Sequence, residues 1–513
     1  MSDWSDGYVS SLQYTTNFYR ELAPSYLSFA CLLEGMRPPP SGAGTSYLEL
    51  GCGQGFGVSL LAAANPQMRF VGVDFMPAHI ANARRLASES GLTNVQFEDL
   101  SFDQLLSRIG DEERRFEFIV LHGVYTWISP ANRKLIVQLA DRLLQPGGLL
   151  YVSYNCLPGW APLTPIQRFI QEFAARNPGN PVQQVEGAVK AAKALFAKGD
   201  NYFARNKTAM GMLDQVQKQN PRYLVHEYLP AEWSPVYHAD VAADFAEARM
   251  EFACSATLPD NVIELSVPPH AMKTVAAITD PGWRQTLSDF LGNKQFRRDL
   301  FMRGVDRLFP LEWEQLFFET RLALMTPPDD VRLKFRTPLG QVNADETLYK
   351  AVVSALADGP RTLGELTALP ALKDVTRSGL RQVLALLVGA HYLAPVAGNG
   401  EGSDGASARA FNRVVSRRAA LGGSFDAVAC GLTGTGKPLP FVEILALDAY
   451  FGGAEDAAAG VPGAWAGFQK SGRRLLRDGK ELDGDEATHR EFETLFQSFF
   501  ERQAPLLRAN RAI

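Results

Sequence analysis

The sequence predicts an α/β protein: a seven-stranded, mostly parallel sheet, followed by helical accessory segments and a winged-helix-like C-terminal part. Three observations lead there. From residue 46 onward, short apolar runs alternate with helical patterns. A glycine-rich stretch, LELGCGQGFG (48–57), joins the first run to the first helix. After residue 346 the texture changes to helix, short helix, helix and strand.

Residues 1–45 read as a helical, aromatic leader, with apolar side chains at helical spacing from Tyr26 to Met36. Strands are predicted at SYLEL (46–50), RFVGVDF (69–75), NVQFED (94–99), FEFIVLHG (116–123) and LLYVSYN (149–155). Helices between them span about 56–65, 77–90 and 130–145, the last two opened by Pro77 and Pro130. A helical insertion is predicted at 161–222. YLVHEYL (223–229) and MEFACSATL (250–258) read as the last two strands, closing the sheet domain (46–260). Residues 261–335 read as helical, and KQFRRDLFMR within them as a packed amphipathic helix. The winged-helix-like segment is placed at 336–397, a flexible linker at 398–409 and a C-terminal domain at 410–513.

Bulk properties narrow the function. At about 100–200 residues per domain, 513 residues suggest three or four domains. A net charge of −5 gives no general attraction to nucleic acid. Five scattered cysteines without a CxxC pair argue against a disulfide framework or a metal site and fit a reducing compartment, so the expected location is cytoplasmic. No signal peptide and no membrane span are expected.

The glycine turn discriminates among three ligand classes. GxGxxG fails at Phe56, where the last glycine should stand. The phosphate loop GxxxxGK[ST] has no lysine here, and its near-match GLTGTGKP (431–438) ends in Pro438, so that stretch reads as a turn. E-x-G-x-G-x-G fits through Glu49, Gly51, Gly53 and Gly55. Such a turn lets the backbone approach an amino-acid carboxylate and a ribose without Cβ interference, in front of a helix N-terminus. Asp74, at the end of the next strand, is placed to accept from both ribose hydroxyls. Asp99 suits the amino group of an adenine, with Leu100 and Phe75 packing on the ring.

With these residues, 46–160 resemble a class I S-adenosylmethionine (SAM)-dependent methyltransferase with its Rossmann-like sheet. HGVYTWIS (122–129), VSYNCLPGW (152–160), the leader YTTNFYRELAPSYL, RYLVHEYL and LGNKQFRRDLFMRG resemble one bacterial group in particular, which carries a methyltransferase regulatory domain. That group includes lysine methyltransferases acting on rickettsial outer-membrane proteins. The resemblance implies SAM as cofactor, no metal, and a protein partner rather than nucleic acid; a homodimer is a further expectation. It tips His122 towards the cofactor pocket and gives Tyr14, Tyr19 and Arg20 of the leader a role in folding over the cofactor. Tyr125, Trp127, Tyr154 and Trp160 are expected to line a substrate channel, with Asn155 accepting from a substrate amine. Tyr125, Trp127, Asn155 and His122 are thus the candidate catalytic residues. His226 and Glu227, at a presumed strand end, fit structural pairing as well as catalysis. No dedicated general base is identifiable. Two other functions stay open: methylation of a small molecule or glycan, and a regulator acting through the winged-helix-like segment.

Overall fold

The computed structural model describes residues 16–109, 116–217, 219, 221–398, 400–477, 480–482 and 484–513. Tyr14 lies outside the described residues. After helix α1 (Pro24–Leu33), the chain alternates β1 (Ser46–Leu50), α2 (Phe56–Ala64), β2 (Arg69–Asp74), α3 (Pro77–Glu89), β3 (Val95–Asp99), α4 (Phe102–Arg108), β4 (Phe116–Leu121), α5 (Pro130–Leu143) and β5 (Leu144–Asn155). β1 and β4 are buried along nearly their whole length, as expected of parallel strands covered on both faces.

β6 (Met250–Ser255) and β7 (Phe296–Arg303) complete a seven-stranded sheet in the order β3-β2-β1-β4-β5-β7-β6. β1 to β5 run parallel, and β7 is antiparallel to both of its neighbours. The strand order reverses between β1 and β4. In open α/β sheets, ligands bind at the carboxyl ends of the strands beside such a reversal.

The seventh strand is not where the sequence predicts it. Residues 223–228 belong to helix α10 (Pro221–Tyr228), whose Leu224, Val225 and Tyr228 are buried at helical spacing. The missing strand is FRRDLFMR, read above as an amphipathic helix. Its charges are not solvated: Arg297 and Asp299 are buried and bonded to each other, Arg297 also pairs with Asp289, and His238 and Tyr154 face Asp299. The sheet therefore closes near residue 303, beyond the expected boundary at 260. The helical insertion, α6 (Thr164–Arg176), α7 (Pro181–Phe196), α8 (Tyr202–Arg205) and α9 (Lys207–Val216), shares one separate core with α10.

The helix–short helix–helix–strand segment forms from Glu346–Ala357, Leu363–Thr367, Arg377–Gly389 and Leu393–Pro395. The middle strand of its three-stranded sheet is Arg321–Leu324, which lies upstream of the expected boundary, in a stretch read as helical. Nor is 398–409 a free linker: Gly402 donates to the Ala397 carbonyl, Ser403 donates to that of Gly431, and helix Ala406–Ala420 begins directly after. That helix packs on α2, with Phe411 stacked on Phe56 at 6.1 Å. GLTGTGKP makes a hairpin, not a phosphate loop. A Cβ on Gly434 would meet Asn65 Oδ1 at 2.4 Å and one on Gly436 would meet Phe18 at 2.7 Å, so these glycines allow close docking. Among the described residues, no helix is long and apolar enough to cross a membrane, and no cluster of His, Cys, Asp or Glu could hold a metal ion.

Candidate active site

The glycine turn runs from β1 into α2 with Gly51, Gly53 and Gly55 all at positive φ (75°, 53° and 70°). Two of these positions are closed by packing. A Cβ on Gly51 would lie 2.7 Å from Val124, and one on Gly55 2.4 Å from Ala83 and 2.7 Å from Phe97. At Gly53 the same construction meets open space. Gly51 and Gly55 thus fix the turn, and Gly53 presents bare backbone to a ligand.

Two carboxylates frame that opening. Asp74, at the end of β2, is 8% exposed. Its Oδ2 accepts from the Gly53 N–H at 2.9 Å; its Oδ1 accepts from the Met76 N–H at 2.9 Å and lies 3.3 Å from His79 Nδ1. A carboxylate oxygen has two lone pairs, so Oδ2 can still accept from a ribose. Glu49 is buried beside the Tyr47 hydroxyl, and among the described residues its Oε2 makes no hydrogen bond of good geometry. Burial raises its carboxyl to about 8, and the nearby Asp74 adds to the rise. Such a group is stabilised by a cationic partner. β2 and β3 set Asp74 opposite Asp99, which is exposed, while Leu100 is buried and its N–H donates to the Asp74 carbonyl. Phe75 follows Asp74 and is half-buried.

On the far side of the reversal, His122 directly follows β4. Its Nδ1 lies 2.8 Å from the Tyr151 hydroxyl, and the rings of Tyr19 and Phe296 lie 3.8 and 6.0 Å from its own. Burial, with the Arg298 charge adding to it, lowers His122 to about 3, so the ring is neutral at physiological pH. Asn155 ends β5. Its Nδ2 donates to Glu227 Oε1 over 3.4 Å, bringing α10 to the site. Burial raises Glu227 to about 7.

Several expected site residues lie elsewhere. The Arg20 guanidinium donates to the Gly389 carbonyl, at the end of helix Arg377–Gly389, rather than to the cofactor side. Tyr125 and Tyr154 are fully buried and line no channel: the Tyr125 hydroxyl donates to Asp244 and that of Tyr154 to Asp299. Trp127 is half-buried next to them. Trp160 packs edge-on against Trp233 at 5.5 Å, beside the core of the insertion. The sequence carries no sign of Tyr151 and Phe296 as members of this group, because they reach the site through sheet pairing, and it leaves Glu227 open between pairing and catalysis because residues 223–229 read as a strand.

The comparisons agree with this geometry. Residues 41–228 match a family described as a methyltransferase domain, and residues 220–303 one described as a predicted methyltransferase regulatory domain. The chain is 35% identical over 506 residues to protein sll1526 of Synechocystis sp., covering 98% of both. It is 26% identical over 280 residues to RP789 of Rickettsia prowazekii, spanning 54% of this chain and 49% of that one. The fold is similar to that of PKMT2 from Rickettsia typhi in complex with AdoHcy (TM-score 0.67, 18% identity, 97% of this chain and 99% of that chain).

The residues present fit SAM. Glu49, with its unbonded buried oxygen, would take the cationic amino group, the open backbone at Gly53 would face the amino-acid part, and Asp74 would take the ribose. When bound, SAM supplies a methyl group made electrophilic by its sulfonium. The chain's own part would be to orient the reactants and keep water out: the Tyr19 ring lies against His122, and the Tyr151 hydroxyl bonds to that imidazole. The chain belongs to the class I SAM-dependent methyltransferases that carry a methyltransferase regulatory domain.

Proposed function

We propose that this enzyme methylates lysine ε-amines of a protein substrate. The observation that carries the reading is the character of the receiving side of the site. There, at the ends of β4 and β5, a neutral imidazole, the rings of Tyr19 and Phe296 and the Asn155 amide come together. An aliphatic ammonium is favoured next to aromatic faces and oxygen acceptors, and an apolar wall eases its deprotonation. A flat base or a sugar would call for several paired polar edges. The resemblance of the leader and the two loops to rickettsial lysine methyltransferases supports the same substrate class.

A DNA-directed regulator is less consistent with the winged-helix-like segment. The two arginines of its third helix are engaged within the chain: Arg377 pairs with Glu314 and lies over Trp313, and Arg381 pairs with Glu34. The test uses methyl-labelled SAM and lysate proteins, with and without subsequent protease digestion. Label in protein, released as methylated lysine on hydrolysis, is expected; label confined to low-molecular-weight acceptors would replace this reading with a small-molecule one.

A further inference from the structure

The regulatory segment brings one buried acid to the active site. Glu227 sits on α10, 7% exposed, and the Asn155 amide at the end of β5 donates to its Oε1. Tyr223, one helical turn earlier and 38% exposed, also bonds to the Glu227 carboxyl. Asn155 is the register partner of Phe296 on β7, whose ring lies 6.0 Å from that of His122, which places the Glu227 cluster near the aromatic wall over His122. Among the described residues, the groups around Glu227 are Tyr223 and Tyr228 on its own helix and the neutral Asn155 of β5; α6 presents the neutral Gln167 to the Tyr228 carbonyl. Among the described residues, no cationic side chain pairs with this carboxyl. A buried acid held by one amide and one phenol, facing a site for a cationic substrate, lacks only that cation.

We propose that Glu227, positioned by Asn155 and Tyr223, is the seat of the substrate ammonium and accepts its proton. This rests on the amine reading of the site. An N–H bond of the ammonium breaks and its proton passes to the Glu227 carboxylate. The freed nitrogen lone pair then forms the new N–C bond as the donor's C–S bond breaks, leaving its electron pair on sulfur. The raised proton affinity of Glu227, about 7, suits this work at neutral pH, since a useful base is ionised at the working pH and still binds a proton well. The regulatory domain then supplies a catalytic residue as well as a scaffold.

The test has two arms. The first titrates the full-length protein, saturated with S-adenosylhomocysteine, with n-butylammonium by calorimetry between pH 6 and 9. The probe remains protonated over this range. Wild-type affinity is expected to rise with pH up to about 7 and then level off. Glu227→Gln should bind about tenfold or more weaker, without that pH dependence, at unchanged melting temperature and S-adenosylhomocysteine affinity. Tyr223→Phe, which removes a donor to the carboxylate at a partly exposed position, should move the midpoint to higher pH and serves if Glu227→Gln does not fold. No binding by wild type, equal binding by Glu227→Gln or an unmoved midpoint in Tyr223→Phe would each overturn the proposal.

The second arm follows label transfer to lysate proteins against pH. For wild type, kcat/KM is expected to rise through about pH 7. In Glu227→Gln that limb should move towards the amine's own ionisation near pH 10, with a loss of about 100-fold at pH 7.5, and Glu227→Asp should recover part of it. An unmoved limb overturns the role of Glu227. Label found only in small acceptors overturns the lysine reading instead, and the ammonium titration still decides the seat.

Discussion

Tyr19 lies over His122 with ring centroids 3.8 Å apart, yet the two residues belong to opposite ends of the site's construction. His122 is set by the end of β4. Tyr19 has extended backbone just before the short helical turn Arg20–Leu22. Thr16 donates to the Ser424 carbonyl, the Phe18 N–H donates to Asp426 at 3.4 Å, and Arg20 donates to Gly389. The segment carrying the Tyr19 ring is thus held by parts of the chain 369 to 408 residues away in sequence.

Tyr19→Ala should weaken SAM binding by about 2- to 12-fold, the worth of one aromatic contact. Arg20→Ala should act in the same direction and more weakly, because it loosens the tether and touches no ligand. Calorimetry checks both. A Tyr19→Ala protein with wild-type affinity would show that the ring packs without covering the cofactor.

SAM affinity should depend on pH through Glu49. Burial raises this carboxyl to about 8 in the ligand-free protein, whereas a cationic amino group favours its ionised form. Affinity is therefore expected to rise as pH increases towards 8, with a proton released on binding below that pH. The sign for stability is opposite. A raised folded pKa means that the ligand-free protein loses stability as pH rises from about 4 to 8. Calorimetry in buffers of different ionisation enthalpy measures the proton, and Glu49→Gln should abolish both trends.

Tyr125→Ala should damage the fold rather than the chemistry. The side chain is fully buried and bonded to Asp244, and the cost is expected at about 3–5 kcal/mol. Denaturant unfolding is the measurement. A stable variant with lost turnover would restore a direct role for this ring.

Asp299→Ala should cost about 3–5 kcal/mol, since it leaves the buried Arg297 with only Asp289 and Gln285 and removes the acceptor of Tyr154 and His238. The Arg297 charge and the bond from His238 hold the Asp299 carboxyl below its usual range against burial. Its contribution is present above the unfolded carboxylate pKa and is lost only in strong acid. Urea unfolding at pH 4 and pH 7 tests this: the gap between wild type and variant should persist at both.

The parts of this molecule governed by local rules could be read from sequence. β1 to β5 are short apolar runs, and the glycine turn carries its own spacing. β7 could not be read that way, because Arg297 and Asp299 look like solvent-facing charges until Asp289 and His238 are seen beside them. The YLVHEYL stretch misled in the opposite sense: its apolar residues satisfy a strand pattern, and only packing against the insertion core selects the helix. Arg20 reads as a cofactor residue because nothing local points to Gly389, 369 residues away. Tyr125 and Tyr154 were judged by residue type at the right loops, but side-chain direction is set by Asp244 and Asp299, neither of which is nearby in sequence. Glu227 was noticed and left undecided because a strand end gave it no partner.

The tether of the leader also sets a schedule for synthesis. Thr16 and Ser424 are 408 residues apart, so at roughly 5–20 residues per second the ribosome needs about 20–80 s between making the cover and making its anchor. The sheet and its glycine turn can form in that interval, but Tyr19 has no fixed place until the anchors emerge. A nascent chain halted before residue 389 should therefore hold a cofactor cradle that SAM enters and leaves freely, and retention of the cofactor becomes a sign that translation has passed Asp426.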